Sequence, residues 1–279
     1  MLLCVDVGNT QTALALYPDD ADDPDGPAVW DARLRTEPRA TGDELALLVR
    51  GLLGTRVGDV SAVAALSTVP ALLRELRGMV ERHFAGLDHL LVEPGVRTGV
   101  PLLVDNPKEV GADRVVQALA AYERHGGPCV VVVFGTSTTV DAVSARGEFL
   151  GGAIAAGVAV SAEALAVRAA ALRPVELVVP RSVLGRNTVE SMQSGLVLGA
   201  AAMVDGLVTR VAREITARDP EGRAPTAVVA SGGLAPLVVG ECATVTEHVP
   251  DLTLLGLRTV HRRWRERRDD RAARRATRS

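Results

Sequence analysis

Residues 2–17 read LLCVDVGNTQTALALY, and residues 130–143 read VVVVFGTSTTVDAV. Each stretch contains a short apolar run, a turn rich in glycine and threonine, and a second apolar run, which is the pattern of a β-hairpin. Helical patterns follow each stretch, so strands and helices alternate through two similar halves of the chain. This repeat predicts an α/β fold made of two related units, with a ligand bound in the cleft between them.

The composition excludes several classes of protein. Of the 279 residues, 47% are hydrophobic and only 3% are aromatic, so alanine, valine and leucine must form the core. The formal net charge is −3, which does not favour a nucleic-acid partner. Glycine or polar residues interrupt the apolar runs well before the ~20 residues that a membrane span requires, so no membrane partner is expected.

The cysteines and the N-terminus indicate the compartment. Cys4, Cys129 and Cys242 are far apart and odd in number, and the first two lie in apolar runs, so free thiols are expected. Free thiols are typical of a reducing cytosol. No basic segment precedes the first strand pattern, which argues against a signal peptide. We therefore expect a cytoplasmic protein.

The C-terminal end has a different composition from the rest of the chain. Residues 262–279 contain nine arginines. A solvated tail, disordered from residue 265 to residue 279, is the expected structure. A binding arm for an acidic partner is the alternative that the sequence leaves open.

The glycine turns are candidate phosphate sites. No G-x-x-x-x-G-K-[ST] motif is present, which excludes a P-loop nucleotide site. Successive backbone N–H groups in a glycine turn form an anion-binding concavity, and hydroxyl side chains add donors. The candidate phosphate-binding residues, which include a third glycine turn, are Gly8, Asn9, Thr10, Gly135, Thr136, Ser137, Thr138, Gly232 and Gly233. An ordinary β-turn remains the alternative for either of the first two loops taken alone.

Two aspartates are candidates for the chemistry. Asp6 lies at the base of the first turn, where its carboxylate can hold Mg²⁺ directly or through water, because hard cations prefer oxygen ligands. Asp113 precedes a helical pattern. It can cap that helix, or it can act as a general base that takes a proton from a substrate hydroxyl. The residue type alone supports these two roles equally.

A set of motifs in a fixed order resembles type III pantothenate kinase. The order and spacing match the family from Leu2 to about Trp264. The motifs are DVGNT at 6–10, NPKEVGADR at 106–114, FGTSTT at 134–139, GG at 151–152, SAEAL at 161–165, RNTV at 186–189, MQSG at 192–195 and SGGL at 231–234.

The resemblance implies the fold of the acetate and sugar kinase and actin-like superfamily, in which two ribonuclease-H-like domains enclose the active site in a cleft. It implies a first domain at residues 1–112, completed by a helix at about 252–264, and a second domain at residues 113–251. The implied activity is transfer of the γ-phosphoryl group of ATP to pantothenate, which gives 4'-phosphopantothenate in the first step of coenzyme A biosynthesis. A homodimer is also implied.

The resemblance assigns roles to individual residues. Asp6 and the other residues of the first loop, Gly8, Asn9 and Thr10, would bind phosphates and Mg²⁺. Thr136 would contact ATP. Asp113 would be the general base. The residues that would contact pantothenate are Gly111, Ala112, Arg114 and Thr188.

Two positions depart from the family pattern. The aspartate that binds a monovalent cation in the family is replaced by Val133, which offers no oxygen, so the site for K⁺ or NH₄⁺ is expected to be weak or lost. A tyrosine of the pantothenate pocket is replaced by Val104. These departures leave two alternatives open: a catalytically weak paralogue with a regulatory or binding role, and a kinase of the same fold that acts on another substrate.

Overall fold

The computed structural model of the protein describes residues 1–19 and 26–276. The chain divides into two compact units. Unit 1 contains Met1–Val100, Asp105–Ala120 and the chain from Thr253 onward, and unit 2 contains Pro101–Val104 and Ala121–Leu252. The main division therefore falls after Ala120, later in the chain than the boundary predicted after residue 112.

Strands and helices alternate along the described chain, as the sequence predicts. The strands are β1 (Leu2–Val7), β2 (Gln11–Tyr17), β3 (Trp30–Arg35), β4 (Ala62–Ser67), β5 (Asp88–Val92), β6 (Cys129–Phe134), β7 (Ser137–Val143), β8 (Phe149–Ala156), β9 (Ala227–Ser231) and β10 (Glu247–His248). The helices are α1 (Gly42–Leu53), α2 (Pro70–His83), α3 (Ala112–His125), α4 (Val158–Arg168), α5 (Thr188–Gln193), α6 (Gly199–Arg218), α7 (Ala235–Val238) and α8 (Leu252–Ala276).

The two sheets have the same topology. The strand order is β3-β2-β1-β4-β5 in unit 1 and β8-β7-β6-β9-β10 in unit 2. In each sheet the first three strands along the chain are antiparallel, and the first strand also pairs in parallel with the fourth. The predicted hairpins are confirmed, since Val7 pairs with Thr12 across the first turn and Phe134 pairs with Thr138 across the second. The repeat that the sequence predicts is therefore a repeat of sheet topology.

The sheet of unit 1 is covered on both faces. One face packs against α1 and α2 through side chains such as Leu45 and Leu76. The other face packs against α3 and α8 through side chains such as Val116 and Leu257. A parallel strand that is covered on both faces is expected to be a continuous apolar run, as β4 is.

The sheet of unit 2 packs against α6 and, at β7, against α4. Its core contains valines of β6 together with Val204 and Val208 of α6. A π-helical turn, Ser194–Leu198, joins α5 to α6. Thr188–Arg218 is therefore one continuous helical stretch, and its buried side chains pack in the core of unit 2.

The stretch Thr188–Arg218 is also long and apolar enough to cross a membrane, judged by length and composition alone. Its most apolar window has a mean hydropathy of 1.5, because glycine, serine and alanine interrupt the large apolar residues without making the window polar. The criterion is weak for a single helix, since core helices meet it too, and a third of this window is buried inside the structure.

The arginine-rich end is helical, which corrects the prediction of a disordered tail over residues 265–279. Helix α8 continues to Ala276, and residues 277–279 lie outside the described part of the chain. Arginine and alanine are strong helix formers. Arg268 donates two hydrogen bonds to Asp88, of 2.6 and 2.7 Å, and lies over the ring of Trp264. Arg267 donates to the carbonyl of Arg97 at 2.6 Å. These contacts dock the helix on unit 1.

Helix α8 also carries a buried histidine. His261 is 3% exposed, and its Nε2 atom has no hydrogen-bond partner among the described residues. Burial lowers the pKa of His261 from 6.5 to about 4. Arg265 and Arg268 lower this pKa further, while Asp88 and Asp19 raise it. The imidazole is therefore neutral in the folded protein at pH values where it is protonated after unfolding.

We expect this histidine to make stability depend on pH. Between pH 6.5 and about 4 the unfolded chain binds one more proton at His261 than the folded chain does, so the free energy of unfolding falls as pH falls, by up to about 1.4 kcal/mol per pH unit. His261→Phe should flatten this dependence in urea unfolding at pH 7 and pH 5. His89→Phe, at an exposed histidine of the same unit, is the control and should keep the wild-type slope. An unchanged slope in His261→Phe would contradict the expectation.

Candidate active site

The first loop lies between β1 and β2 and is closed by one backbone hydrogen bond. The N–H of Gly8 donates to the carbonyl of Gln11 at 3.0 Å, and a side chain at Gly8 would come within 2.9 Å of that oxygen. Glycine is therefore the residue that fits here. Asn9 and Thr10 are exposed at the tip of the loop. They are placed where a ligand in solution can reach them.

A neighbouring turn, which sequence reasoning did not assign to the site, lies against this loop. Because β1 and β4 are parallel, their carboxyl ends meet at one edge of the sheet. The N–H of Thr68 donates to the carbonyl of Val7 at 3.0 Å, and the hydroxyl of Ser67 donates to the same carbonyl at 3.2 Å. Helix α2 begins directly afterwards. The signal in the sequence was a buried strand that ends in Ser67 and Thr68, the second strand of the unit to end in polar turn residues.

The carboxylates of Asp6 and Asp113, both in unit 1, are close enough to influence each other electrostatically. Burial raises the pKa of Asp6 from 3.8 to about 7. The negative charge of Asp113 raises it too, and the guanidinium of Arg33 opposes the rise. The two aspartates are far apart in the sequence. The structure therefore brings together the two acidic residues that the sequence proposed for separate reasons.

Asp113 is the second residue of α3 and interacts with the start of that helix. Burial raises the pKa of Asp113, while backbone N–H groups of Arg114 and of Asp113 itself, together with the charge of Arg114, lower it. A side chain at Gly111 would overlap the carboxylate of Asp113, so glycine leaves room for it. The carboxylate of Asp113 therefore interacts with the start of the helix, as the side chain of a capping residue does. It also interacts with the carboxylate of Asp6, which a capping role would not require.

This pair can take part in chemistry with a cation and a proton. Two acidic groups with raised pKa values at a helix N-terminus are typical of a functional site. No group of three or more His, Cys, Asp and Glu residues within the described ranges could hold a metal ion. Mg²⁺ suits such a sparse site, because it keeps several waters and is bound by one or two carboxylates together with phosphates. The residues of unit 1 therefore fit Mg²⁺.

The glycine turns of unit 2 meet at one edge of its sheet. The N–H of Gly135 donates to the carbonyl of Ser137, and the N–H of Gly157 donates to the carbonyl of Thr136, both at 3.0 Å. Gly232 has φ of +100°, and a side chain there would lie 2.5 Å from the carbonyl oxygen of Phe134. The second and third glycine turns are therefore in contact. Thr136 and Gly233 are exposed at this edge.

Thr138 differs from the other candidates of this loop. Its side chain is 1% exposed, and its hydroxyl has no hydrogen-bond partner in the described structure. It lies on the face of β7 that enters the core of unit 2, with Val140. The sequence pattern groups Thr138 with the solvent-facing donors, but the structure buries it.

Val133 lies between two hydroxyl-bearing residues. It pairs with Thr139 of β7 and with Ser231 of β9, so the three side chains share one face of the sheet. Thr139 is 8% exposed, and its hydroxyl has no partner within the described ranges. The hydroxyl of Ser231 donates to the carbonyl of Pro250 at 3.3 Å. Oxygen atoms are thus present around this position, but the valine itself supplies none.

The candidate substrate residues belong to both units. Gly111, Ala112 and Arg114 are partly buried in unit 1. In unit 2, Val104 follows a segment that pairs with the start of β8, and its Cγ1 atom would lie 3.8 Å from a side chain at Gly151. Thr188 is exposed at the first position of α5. The structure therefore leaves Thr188 accessible.

Comparison with known proteins gives a consistent family. The family model of type III pantothenate kinase matches residues 2–210. A type III pantothenate kinase of Saccharopolyspora erythraea is 60% identical over 264 residues, which cover 94% of this chain and 98% of the relative. One of Mycobacteroides abscessus is 55% identical over 278 residues, which cover 100% of both chains.

A solved structure supports the fold. The ROK hexokinase of Thermus thermophilus matches 93% of this chain and 97% of its own, with a TM-score of 0.51 and 16% identity. At that identity the similarity shows a shared fold, and the repeated sheet topology of the two units agrees with it. On the match to the family model and on the identity to relatives over nearly the whole chain, the protein belongs to the type III pantothenate kinase family.

Proposed function

We propose that the protein transfers the γ-phosphoryl group of ATP to the hydroxyl of pantothenate, giving 4'-phosphopantothenate for coenzyme A biosynthesis. The electrostatic interaction between the buried carboxylates of Asp6 and Asp113 is the observation that carries this proposal. Asp6 can hold the Mg²⁺ ion that binds the phosphates, and Asp113 can accept the proton of the substrate hydroxyl. The relatives supply the identity of the substrate, because they are named for it.

Asp113 accepts the proton in this mechanism. As the pantothenate oxygen forms its bond to the γ-phosphorus, its proton passes to the carboxylate of Asp113, and the bond from the γ-phosphorus to the bridging oxygen of ADP breaks. A base works best when its pKa lies near the operating pH, and burial moves the pKa of Asp113 upward in that direction. Asp113 needs to be ionised when the substrate arrives, which the charge of Arg114 favours.

Positioning and charge neutralisation supply the rest, because phosphoryl transfer has a loose transition state. Asp6 would hold Mg²⁺, directly or through water, and the bound ion supplies neutralisation of the phosphate oxygens. The exposed tips of the first and second loops would bind the phosphates through backbone N–H groups and hydroxyls. The residues proposed for phosphate are Gly8, Asn9, Thr10, Gly135, Thr136, Ser137, Gly232 and Gly233. Thr138 would support the second loop from within the core.

The proposed pantothenate contacts are Gly111, Ala112, Arg114, Val104 and Thr188. Gly111 and Ala112 lead directly into the helix that carries Asp113, so a substrate held there is close to the base. Valine at position 104 offers an apolar wall. The exposed hydroxyl of Thr188 can donate to a polar group of the substrate.

An assay of ADP release tests the proposal. The full-length protein is incubated with ATP, Mg²⁺ and pantothenate, with and without K⁺ or NH₄⁺, and with a sugar as the competing acceptor. Turnover that requires pantothenate supports the proposal. Turnover with the sugar alone would favour a kinase with another substrate, and no turnover in any salt from folded protein would favour a paralogue with a binding role.

The monovalent cation is a separate question, on which Val133 bears directly. We expect wild-type activity to respond weakly to K⁺, because a valine side chain cannot replace the water of an ion. Val133→Asp would place a carboxylate between Thr139 and Ser231, and we expect its ADP release to rise with K⁺ more steeply than that of the wild type. Val133→Asn, which has similar size and no charge, is the control. Equal K⁺ responses in Val133→Asp and in the wild type would reject this account.

We also propose a homodimer, formed through an apolar surface of unit 2. Nine large apolar side chains are exposed between residues 154 and 189, and they form what we call the apolar band. They are Ile154, Val160, Leu165, Val167, Val178, Val179, Val183, Leu184 and Val189. Large exposed apolar patches are typical of interfaces. A second copy of the chain is the simplest partner, because most oligomers of this kind are symmetric.

A charge in the apolar band should separate the subunits. Leu184 is 80% exposed, so Leu184→Asp costs little in the isolated chain, but in a dimer it would bury a carboxylate. We expect analytical ultracentrifugation to show that Leu184→Asp is a monomer, whereas the wild type is a dimer. Leu47→Asp, at a leucine of α1 that is 73% exposed, is the control and should sediment as the wild type does. A dimer that persists in Leu184→Asp would place the interface elsewhere.

The reaction is proposed to take place in the cytosol. All three cysteines are free thiols, and Cys4 and Cys129 are buried. Burial raises the pKa of the Cys129 thiol to about 12, which keeps it unreactive. Unpaired thiols agree with a reducing compartment.

A further inference from the structure

Helix α8 crosses α3 with their backbones in contact at Gly256. A side chain at Gly256 would overlap the carbonyl oxygen of Val116 and would lie 2.6 Å from its carbonyl carbon and 2.9 Å from its Cβ atom. No side chain can occupy this place unless one helix moves. Val116 and Leu257 beside the crossing are both 0% exposed, so the surrounding core gives little room for such a movement.

A buried hydrogen bond joins the same two helices. The Nε2 atom of Gln117 donates to the hydroxyl of Thr253 at 2.8 Å, and Gln117 is only 4% exposed. A buried polar group is costly to leave without a partner, so the bond favours one register of α8 on α3. Thr253 and Gly256 are three residues apart on α8 and therefore lie on one face of it. The two contacts fix the position of α3 at neighbouring points.

The crossing lies one helical turn from Asp113. Asp113, Val116 and Gln117 are spaced three and four residues apart, so they share one face of α3. A helix turn is stiff, so a displacement at Val116 is transmitted to Asp113. Val116 also packs in one core cluster with side chains of β1, the strand that contains Asp6. The contact with α8 therefore determines how closely α3, with its aspartate, approaches β1.

We propose that Gly256 is a positioning residue for phosphoryl transfer: by allowing backbone contact between α8 and α3, it places the carboxylate of Asp113 relative to Asp6. The proposal rests on the proposed role of Asp113 as the base. Gly256 itself touches neither substrate nor Asp113 in this account. It acts only through the location of α3.

The test compares Gly256→Ala with Gly42→Ala in the full-length protein. Gly42 is also at a tight helix contact of unit 1, since a side chain there would lie 2.8 Å from the carbonyl of Glu75 and 3.1 Å from the N atom of Met79. That contact joins α1 and α2 on the opposite face of the sheet. Both variants should unfold more easily than the wild type. Only Gly256→Ala should lower kcat, by about tenfold or more, because small misplacements of a catalytic group have large effects on rate.

The split between kcat and KM separates positioning from stability. In Gly256→Ala kcat should fall with KM for ATP unchanged, whereas Gly42→Ala should keep the wild-type values of both. Equal kcat in the two variants would overturn the proposal. If Gly256→Ala does not fold, Thr253→Val, which removes the hydroxyl, replaces it, and Thr253→Ser should restore the wild-type kcat. A wild-type kcat in Thr253→Val would then overturn the proposal.

A second readout does not depend on the reaction. Crystal structures of the wild type, Gly256→Ala and Gly42→Ala give the distance between the carboxylates of Asp6 and Asp113. If the wild type fails to phosphorylate pantothenate, the proposed function fails, but this distance still decides about Gly256. A distance that changes in Gly256→Ala and not in Gly42→Ala supports positioning, and an unchanged distance rejects it.

Discussion

Asp113→Asn is expected to lower kcat for pantothenate phosphorylation by about 10²–10⁴-fold, which is the usual contribution of a positioned general base. Asparagine has nearly the same shape and its side-chain oxygen can still accept the N–H of Arg114, but it cannot take a proton. The fold should therefore remain intact while the substrate hydroxyl keeps its proton. The measurement is ADP release at saturating substrates, with circular dichroism to confirm the fold.

A control and a stability measurement separate the base from a helix cap. Asp105→Asn changes an exposed carboxylate in the segment before α3 and should retain wild-type activity. A residue that only caps the helix would contribute about 1 kcal/mol of stability and little rate. Because burial raises the pKa of Asp113, its charged form is disfavoured by folding, and this cost grows as pH rises through that pKa. Asp113→Asn should therefore be no less stable than the wild type at pH 8. If Asp113→Asn retained activity within about tenfold of the wild type and was less stable, Asp113 would be a helix cap and not the general base.

Asp6→Asn is expected to have the second-largest effect, on the requirement for Mg²⁺. Losing the carboxylate should raise the Mg²⁺ concentration for half-maximal turnover by about tenfold or more at pH 8, because the amide that remains is a weaker ligand. In the wild type, the ion has to displace a proton from Asp6 below pH 7, so apparent Mg²⁺ affinity should rise by about tenfold per pH unit up to pH 7 and level off above it. Mg²⁺ titrations of ADP release between pH 6 and pH 8.5 measure both the Mg²⁺ requirement of Asp6→Asn and the pH dependence of Mg²⁺ affinity in the wild type.

The same variant makes a prediction about stability. The pKa of Asp6 is about 3.8 in the unfolded chain and about 7 in the folded protein. Between these two pH values the folded protein binds more protons at Asp6 than the unfolded chain does. The free energy of unfolding therefore falls as pH rises from about 3.8 to about 7. Asp6→Asn should remove this loss and be more stable than the wild type at pH 8. Asp31→Asn, at an exposed aspartate of β3, is the control for both measurements. A Mg²⁺ requirement in Asp6→Asn that matches the wild type, with the same pH dependence, would contradict a role for Asp6 in metal binding.

The sequence determined the features of this protein that depend on neighbouring residues. The apolar runs of residues 2–17 and 130–143, each broken by a glycine turn, predicted two hairpins, because strand and turn preferences are local properties of the chain. The order of the motifs predicted the family, which the match to the family model and a relative at 60% identity confirm. Asp6 and Asp113 were also identified from the sequence, each from its own short motif.

Only the tertiary structure decided which of these residues meet. The parallel pairing of β1 with β4 and the packing of α3 on their sheet bring Asp113 to Asp6, and neither is encoded by the residues adjacent to the two acids. In the same way, strand register places Val133 between two hydroxyls, and the helix crossing gives Gly256 a contact that its helical sequence does not reveal. The arginine-rich end was predicted wrongly for the same reason, since its helix is held by distant partners such as Asp88. Local patterns specify strands, turns and helices, whereas proximity between distant residues is set by the way the whole chain packs.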